Sequence, residues 1–322
     1  MIDYYELKLD VTLSGCGFLG SYHVGALCLL QQIWPQRPYN RICGASCGSL
    51  IGTLILAGVK TEDALDCAMD VIRQLRGFIR NPTLIRTASI ASLVEQKLEH
   101  LLPKNAHELC SGRLGISLTK IWSFENKFVS EFESRQDLID ACKASCFIPG
   151  WSGSLRPQEY KGEQYIDGGF SDNRPRFPNE KEEDGDNNSD DDLAKKNATR
   201  HILISGIAIE ADVTPRDDGA LFKARIFGNV YLATWKNVMR CIYAIIPTSL
   251  ERYKDDLVGG YIDMKEYLFR NDLLKCRDCW HKAAPDNGTA MIKKEACIAC
   301  LKVLEQVDSL SMPKSLFDAY KE

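Results

Sequence analysis

Short apolar segments alternate with longer amphipathic segments along most of the chain, an arrangement typical of an α/β protein. Segments with strand-like alternation or continuous apolar character are predicted as strands, namely residues 7–13, 41–45, 114–122, 127–132, 164–166 and 201–209. Segments with helical periodicity are predicted as helices, namely residues 21–34, 47–58, 61–102 with a break at Asn81-Pro82, 136–146, 222–247, 261–280 and 291–310. We therefore expect a central sheet covered by helices.

One low-complexity segment, at residues 179–197, interrupts this pattern. It is rich in Asp, Glu and Asn and has no aromatic residue, which predicts a solvated, disordered loop. Residues 1–270 are therefore predicted to form one α/β domain that carries this insertion. Residues 271–322 are predicted to form a helical, cysteine-rich C-terminal region.

Composition and charge argue against several other classes of protein. The chain has 322 residues, of which 45% are hydrophobic, and its formal net charge of −4 gives no reason to expect a nucleic-acid partner. The acidic residues Asp3, Glu6 and Asp10 do not fit a signal peptide, and no apolar window is long enough to span a bilayer. The 13 cysteines are then expected to be reduced thiols, and a cytoplasmic protein is predicted.

The segment 41–58 places Ser46 at a sharp turn between a strand and a helix. Gly44 and Gly48 flank it in a G-x-S-x-G pattern, in which small neighbours let the chain reverse direction and expose the serine hydroxyl. The unpaired N–H groups at the start of the following helix favour negative charge that develops there. Taken alone, the pattern fits either a catalytic nucleophile or a structural turn.

A glycine-rich loop, residues 15–20, joins the first predicted strand to the first predicted helix. Two kinds of site use such a loop: a dinucleotide site, and an oxyanion site in which backbone N–H groups face a reacting oxygen. The dinucleotide site also needs an acidic residue about 20 positions further on for the ribose. No Asp or Glu occurs between Gly20 and Thr61, so the sequence favours the oxyanion site.

A serine nucleophile needs a base, and the sequence offers few. None of the five histidines lies in a loop after a late strand, and His23 fits a packed helix residue better than a base. Asp167, in a D-G-G turn after a predicted strand, can accept the proton if it lies within hydrogen-bonding distance of Ser46. The same turn also forms through an Asx-type hydrogen bond without catalysis, so both interpretations of Asp167 stay open.

In combination, these motifs resemble those of the patatin-like phospholipase family, and most closely its adipose triglyceride lipase branch. The resemblance rests on three motifs in order, GCGFLG at 15–20, GASCG at 44–48 and DGG at 167–169. Further matching stretches are residues 22–25, 111–119, 145–149 and 171–173. The resemblance covers residues 7–275 apart from the acidic insertion. It implies a three-layer α/β patatin-like fold with a mainly parallel central sheet and helices on both faces.

The resemblance also implies a serine–aspartate dyad. Ser46 would be the nucleophile and Asp167 the residue that accepts its proton. The backbone N–H groups of the glycine loop would form the oxyanion hole, at Gly15, Cys16 and Gly17. The remaining motif glycines would support the turns, namely Gly20, Gly44, Gly48, Gly168 and Gly169. Cys47 stands where alanine is usual in this branch, and its thiol would make activity sensitive to oxidation.

The function that the resemblance implies is hydrolysis of carboxylic esters of acyl lipids, triacylglycerol first and phospholipid second, without a cofactor. The expected partners are the lipid substrate, the surface of a lipid droplet or membrane on which the protein sits peripherally, and a protein co-activator. The alternative is a catalytically silent lipid-droplet scaffold of the same fold. The intact Ser46, Asp167 and glycine loop argue against it, because a silent site would be free to lose them.

Two cysteine pairs near the C-terminus have the spacing of a zinc site. Cys276 and Cys279 form one pair, Cys297 and Cys300 the other, and seventeen residues separate the two pairs. Both pairs also lie in predicted helices, where cysteines three residues apart share one buried face. Packed thiols are therefore the preferred interpretation, and a structural zinc ion is the alternative.

Overall fold

The computed structural model describes residues 8–35, 39–80, 90–178, 199–217, 222–226, 229–247, 249–271, 273, 307 and 309–320. The acidic segment 179–197 lies outside these residues, as do the cysteine pairs of the zinc prediction, namely Cys276, Cys279, Cys297 and Cys300. Both predictions therefore remain predictions.

A seven-stranded sheet forms the centre of the protein, with the strand order β5-β6-β3-β2-β1-β7 and with β4 paired to β3. Its strands are β1 Lys8–Leu13, β2 Arg41–Ala45, β3 Leu114–Lys120, β4 Asn126–Val129, β5 Gln158–Tyr160, β6 Glu163–Asp167 and β7 Thr199–Ile204. Strands β3, β2, β1 and β7 run parallel, and β4, β5 and β6 add antiparallel pairings on the β3 side. The register pairs Leu13 of β1 with both Gly44 and Ile204, so the three strands end at the same edge of the sheet.

Helices follow the strands in chain order and cover the sheet. They are α1 Gly20–Ile33, α2 Cys47–Leu56, α3 Thr61–Arg80, α4 Ile90–Leu101, α5 Ala106–Cys110, α6 Arg135–Ser145, α7 Trp235–Ile245 and α8 Leu250–Arg270. All positions of β1 and β3 except one end residue of each are buried, which requires cover on both faces of the sheet. The predicted α/β fold class is confirmed.

Helices α1 and α8 pack with their backbones in contact. A Cβ atom at Gly25 would lie 1.9 Å from the Leu257 carbonyl oxygen, and one at Gly260 would lie 1.9 Å from the Tyr22 carbonyl oxygen. Polar pairs at both ends of this contact support it, since Tyr22 donates to Asp263 and Tyr261 donates to Gln32. Helix α8 therefore fixes the position of the first turn of α1, which follows the glycine loop.

The prediction of one helix over residues 222–247 is wrong in its first half. An antiparallel hairpin, β8 Lys223–Ile226 and β9 Asn229–Leu232, precedes α7. Long-range hydrogen bonds from the Leu232 N–H to the Ala208 carbonyl and from the Glu210 N–H to the Val230 carbonyl fix the hairpin. Helical spacing of the apolar residues could not show these partners.

The predicted helix at 261–280 also has different bounds. Helix α8 begins eleven residues earlier, where the Ser249 side chain accepts a hydrogen bond from the Arg252 N–H and caps the helix. It ends at Arg270. The predicted domain boundary near residue 270 stays a prediction.

A 3₁₀ segment near the C-terminus, Lys314–Tyr320, packs on the helical layer. Its Leu316 is buried, and the Ser315 hydroxyl donates to the Glu62 carboxylate at the start of α3, at 2.9 Å. No helix among the residues described is both long and apolar enough to span a membrane.

Candidate active site

Ser46 lies in a strained turn between β2 and α2, as the sequence predicts. Its φ of 53° and ψ of −129° are unfavourable for a residue with a side chain, so the surroundings must hold this conformation. The Ser46 N–H donates to the Ser145 hydroxyl at 3.0 Å, and its carbonyl accepts from the Ser49 N–H at 2.9 Å. The turn leaves Ser46 half-buried at the N-terminus of α2, at the edge where β1 and β2 end.

The two glycines that flank Ser46 are required by close packing. A Cβ atom at Gly44 would lie 2.4 Å from backbone atoms of Gly48 and Ser49, and one at Gly48 would lie 2.1 Å from the Leu13 carbonyl oxygen. Any side chain at either position would therefore push α2 away from β1 and β2. The G-x-S-x-G pattern thus reflects how tightly the helix docks against the strands.

Asp167 ends β6, and the structure brings its carboxylate together with Ser46. The Gly169 N–H donates to Asp167 Oδ1 at 2.8 Å, and the Ser46 side chain is among the groups whose interaction lowers the pKa of the Asp167 carboxyl. The Gly169 contact is the Asx-type turn that the D-G-G sequence predicts. The turn is thus observed, and the role of Asp167 as the proton acceptor of Ser46 stays a prediction.

Burial dominates the electrostatics of Asp167. Only 5% of the residue is exposed, and burial raises the pKa of its carboxyl from 3.8 to about 7. The hydrogen bonds from Ser46 and Gly169 lower this pKa, but by less than burial raises it. A carboxylate with a pKa near 7 is a much stronger proton acceptor than an ordinary aspartate, and it is still half ionised at neutral pH.

Buried hydroxyl groups on β3 and at the end of α6 position both residues, and the sequence did not indicate this role. The Thr119 hydroxyl donates to the Asp167 carbonyl at 2.7 Å. The Ser145 hydroxyl accepts from the Ser46 N–H and donates to the Ser117 carbonyl at 2.8 Å. Ser117, Thr119 and Ser145 are completely buried, so their hydroxyls must find partners inside the protein. The polar residues within the apolar segment 114–120 were the available signal.

The glycine loop lies directly against Ser46. A Cβ atom at Gly15 would be 3.1 Å from Ser46 Cβ, and the Gly15 N–H donates to Asn173 Oδ1 at 2.7 Å. Gly17 has a φ of 55°, and a Cβ atom there would lie 1.9 Å from the Ala244 carbonyl oxygen on α7. Asn173 thus engages one of the three N–H groups predicted for the oxyanion hole, a contact that the sequence did not indicate.

The supporting glycines lie where the backbone is crowded. A Cβ atom at Gly168 would be 2.0 Å from the Ser117 carbonyl oxygen, and one at Gly169 would be 3.0 Å from Asp167 Oδ1. A Cβ atom at Gly20, at the start of α1, would lie 3.0 Å from Ile51 Cδ1 and 3.6 Å from the Cys47 sulfur. The three glycines therefore keep the loop, the D-G-G turn and α2 close together.

Behind the nucleophile, Cys16, His23 and Cys47 form a compact cluster. The two sulfur atoms are 3.4 Å apart, and the Cys16 sulfur lies 3.8 Å from His23 Nε2. His23 is completely buried, as expected for a packed helix residue. The donor atoms of the three residues all lie within 4.8 Å of one another, so their spacing would admit a metal ion.

An apolar cavity of about 180 Å³ opens beside Ser46 and runs along α2. Besides Ser46 and Cys47, its walls are mainly apolar side chains from α2, α3 and α4, namely Leu50, Ile51, Leu54, Ile55, Leu65, Met69, Ile72, Ile90, Val94, Leu98 and Leu101. Phe18 and Trp151 also line it, with ring centroids 5.5 Å apart. Such a cavity can hold a flexible hydrocarbon chain next to the serine hydroxyl.

Comparison with known proteins matches the sequence of this chain to one family and to several relatives. The family model described as patatin-like phospholipase matches residues 11–178. Human 1-acylglycerol-3-phosphate O-acyltransferase PNPLA3 is 40% identical over 82% of this chain and 51% of its own length. Mouse omega-hydroxyceramide transacylase is 30% identical over 81% of the chain and 41% of its own length. Human patatin-like phospholipase domain-containing protein 2 is 32% identical over 84% of the chain and 50% of its own length. The chain spans about half the length of these relatives.

Proposed function

Since this chain belongs to the patatin-like phospholipase family, as its motifs predict, we propose that it is a serine hydrolase of acyl lipids. The observation that carries the proposal is that Ser46, in its strained turn, interacts with the buried Asp167 carboxylate and also lines an apolar cavity. A nucleophile, a proton acceptor and a site for an acyl chain are then contiguous, which is what ester cleavage of a lipid requires.

In the first half of the reaction, Asp167 accepts the proton of the Ser46 hydroxyl as the serine oxygen attacks the ester carbonyl carbon. Negative charge then develops on the carbonyl oxygen. The N-terminus of α2 and the N–H groups of the loop at Cys16 and Gly17 are the nearby donors, since the Gly15 N–H already donates to Asn173. As the intermediate collapses, the proton passes from Asp167 to the leaving alcohol, and the acyl group remains on Ser46.

In the second half, a water molecule attacks the acyl-enzyme while Asp167 accepts its proton, and the fatty acid leaves. An alcohol can take the place of water at this step, and acyl transfer is then the result. Two of the relatives are named for acyl transfer, as an acyltransferase and as a transacylase. Transfer to a lipid alcohol is therefore the second candidate activity of the same acyl-enzyme.

The cavity supports a long acyl chain as the group that is cleaved. Its lining residues Leu50, Leu54 and Ile55 continue for two turns along α2 from the serine. At 1.5 Å per residue, the distance from Cys47 to Ile55 is about 12 Å. This depth favours acyl lipids over short soluble esters, and the order of triacylglycerol first and phospholipid second is what the resemblance of the motifs implies.

The outward face of α7 supports contact with a lipid surface. Trp235, Val238, Ile242 and Ile245 are all at least 40% exposed, and they recur at the spacing of a single helix face. Elsewhere on the helix, polar side chains pack inward, with Arg240 Nη1 2.7 Å from Asp217 Oδ1. An apolar face turned outward suits the acyl region of a lipid droplet or membrane.

The position and charge of this helix fit the same partner. The Ala244 carbonyl of α7 lies against Gly17 of the glycine loop, and the Ile245 carbonyl accepts from the Trp151 indole N–H at the cavity. Lys236, the neighbour of Trp235 on α7, is exposed, and its basic side chain can meet lipid headgroups. A protein seated on lipid through α7 would thus present its cavity mouth to the substrate.

Turnover and active-site labelling test the proposal. Wild type should hydrolyse triacylglycerol and phospholipid emulsions, whereas Ser46→Ala and Asp167→Asn should each lose at least about 10²-fold in kcat/KM. A fluorophosphonate probe should label wild type but not Ser46→Ala. The exposed residues Ser123 and Asp255 supply matched controls, Ser123→Ala and Asp255→Asn, which should behave as wild type.

The same experiment separates the alternatives. Full turnover in both site variants would remove the dyad, and a folded wild type that neither reacts with the probe nor turns over would support the silent scaffold. Adding 1-acylglycerol-3-phosphate as acceptor, and measuring acylated product against free fatty acid, separates transfer from hydrolysis.

A further inference from the structure

The thiols of Cys16 and Cys47 are placed for a reaction that ester cleavage does not use. Their sulfur atoms are 3.4 Å apart, and a disulfide bond is about 2.05 Å long, so they need to approach by only about 1.4 Å. Cys16 lies within the glycine loop, and Cys47 is the first residue of α2. A disulfide between them would therefore join the glycine loop to the start of α2, the two segments beside Ser46.

The two thiols have opposite chemical character. Hydrogen bonds from the Cys16 thiol and from His23 lower the pKa of the Cys47 thiol, although burial opposes them. Burial raises the pKa of the Cys16 thiol, and its contact with Cys47 raises it further. The start of a helix also stabilises a thiolate at Cys47. Cys47 is thus the nucleophilic sulfur, and Cys16 is the protonated thiol beside it.

The Cys47 sulfur is also within reach of small molecules. Cys47 is half-buried and lines the same cavity as Ser46, whereas Cys16 is only 2% exposed. A small oxidant that enters the cavity therefore reaches Cys47 before Cys16, which does not line it. A nucleophilic, accessible thiol next to a second cysteine is the arrangement found in reversible redox sites.

We propose that Cys47 and Cys16 form a peroxide-sensitive thiol pair whose disulfide reversibly switches off the Ser46 site. The proposal rests on the proposed hydrolase function for its effect on turnover, but the disulfide itself does not depend on it. It assigns a modification site to two cysteines whose sulfur atoms are neither the nucleophile nor the proton acceptor of ester cleavage.

The chemistry proceeds in two steps. The Cys47 thiolate attacks one oxygen of hydrogen peroxide, so that an S–O bond forms, the O–O bond breaks and hydroxide leaves. The Cys16 sulfur then attacks the Cys47 sulfenic acid, so that the S–S bond forms and the S–O bond breaks. The Cys16 proton leaves with the hydroxyl group as water. Peroxide is the oxidant in the overall reaction, and a thiol reductant reverses it.

The disulfide would act on catalysis through the glycine loop. Cys16 lies between Gly15 and Gly17, the loop residues packed against Ser46 and α7. Drawing its sulfur toward α2 moves the backbone N–H groups that surround the nascent oxyanion. The donors of an oxyanion hole must lie within a few tenths of an ångström of the position that stabilises the oxyanion. We therefore expect turnover to fall by about 10-fold or more.

The experiment uses the full chain, reduced and then freed of reductant. One equivalent of hydrogen peroxide should lower esterase activity about 10-fold in wild type, and dithiothreitol should restore it. Peptide mapping should find a Cys16–Cys47 disulfide. Cys47→Ala should keep most of its own untreated activity after peroxide. Cys241→Ala, which removes another half-buried thiol, should respond as wild type.

Several results would overturn the switch. These are equal inactivation of wild type and Cys47→Ala, oxidation that stops at sulfinic acid, or a stoichiometric metal ion that shields the thiols of the purified protein. Mapping of the disulfide does not require turnover. An inactive reduced protein that still forms the Cys16–Cys47 disulfide would therefore count against the proposed hydrolase, and an active protein that never forms it would count against the switch.

Discussion

At the scale of single residues, Asp167 combines a structural and a chemical property. Its turn hydrogen bond with Gly169 fixes the direction of the carboxylate, and its burial sets the proton affinity. The neighbouring Cys47 acts in the same direction as burial, because a negative charge on its sulfur raises the pKa of Asp167. Two adjacent positions, Ser46 and Cys47, therefore influence one carboxylate in opposite directions.

The raised pKa predicts how activity and stability depend on pH. Ionised Asp167 is the proton acceptor, so kcat/KM should rise with pH through about 7 and level off above it. The pKa of the Asp167 carboxyl is higher in the folded protein than its unfolded value of 3.8. Its contribution to the stability of the fold is therefore complete below pH 3.8 and is lost as the pH rises through about 7.

Asp167→Asn should therefore abolish activity, and it should also remove the loss of stability that Asp167 causes as the pH rises. Between pH 5 and 8, wild type should lose roughly 2–3 kcal/mol in its free energy of unfolding relative to the variant, at about 1.4 kcal/mol per unit of pKa. Urea unfolding of both proteins at several pH values measures the difference. Parallel pH dependence in wild type and variant would contradict a raised pKa at Asp167.

At the scale of elements, α2 and α7 lie on either side of the glycine loop and differ in what they present. Helix α2 docks against the strands through Gly44 and Gly48 and supplies its N-terminus to the site. Helix α7 packs its Asn237 and Arg240 inward and exposes an apolar face. The first helix determines the chemistry, and the second is placed to bring the site to lipid.

Charge added to the exposed face of α7 should weaken binding to lipid. Trp235 is 76% exposed and Ile242 is 40% exposed, so neither contributes much to the core. The double variant Trp235→Glu with Ile242→Glu should bind anionic phospholipid vesicles at least about 10-fold more weakly, because each buried large apolar side chain contributes roughly 1.5–3 kcal/mol. Vesicle co-sedimentation measures the change.

Leu109→Glu is the matched control for this prediction. Leu109 is 36% exposed on α5, which leads into the start of β3, so it lies at the sheet edge opposite Ser46. Its vesicle binding should equal that of wild type. If Leu109→Glu weakens binding as much as the α7 variant does, or if the α7 variant binds normally, α7 is not the lipid-binding face.

At the scale of the whole molecule, the site is assembled from distant parts of the chain. Ser46 follows β2, Asp167 ends β6 and Gly15 follows β1, and the sheet order brings these strand ends to one edge. The cavity needs three helices, since α2 forms one wall and α3 and α4 form the others. Substrate selection is thus a property of the packed molecule.

A bulky residue far along the cavity should shorten the acyl chain that the enzyme accepts. Ile55 lines the cavity about 12 Å along α2 from the serine and is only partly buried in the core. Ile55→Trp should lower kcat/KM for esters of long-chain acids about 10-fold and leave butyrate esters unaffected, because only the long chain needs the filled space. A series of p-nitrophenyl esters of increasing length measures this.

Ile55→Leu, which keeps the side-chain volume, is the control and should retain the wild-type chain-length profile. A folded Ile55→Trp protein whose profile matches that of wild type would show that the acyl chain does not occupy this cavity.

The local motifs could be predicted from the sequence because each follows from a short-range requirement of the backbone. The strained turn at Ser46 needs small neighbours, and the D-G-G turn places a carboxylate by an Asx-type hydrogen bond. These requirements act over a few residues, so spacing alone reveals them. Their order along the chain also pointed to the family that the comparisons show.

Tertiary structure decided the rest. The contact between Ser46 and Asp167, the raised pKa, the Asn173 bond to the glycine loop and the approach of Cys16 to Cys47 all join segments distant in sequence. The hairpin before α7 and the outward apolar face of α7 likewise depend on distant partners. Distances and burial arise only when the sheet order is set, and an interaction between residues far apart in the chain leaves no periodic pattern in either segment.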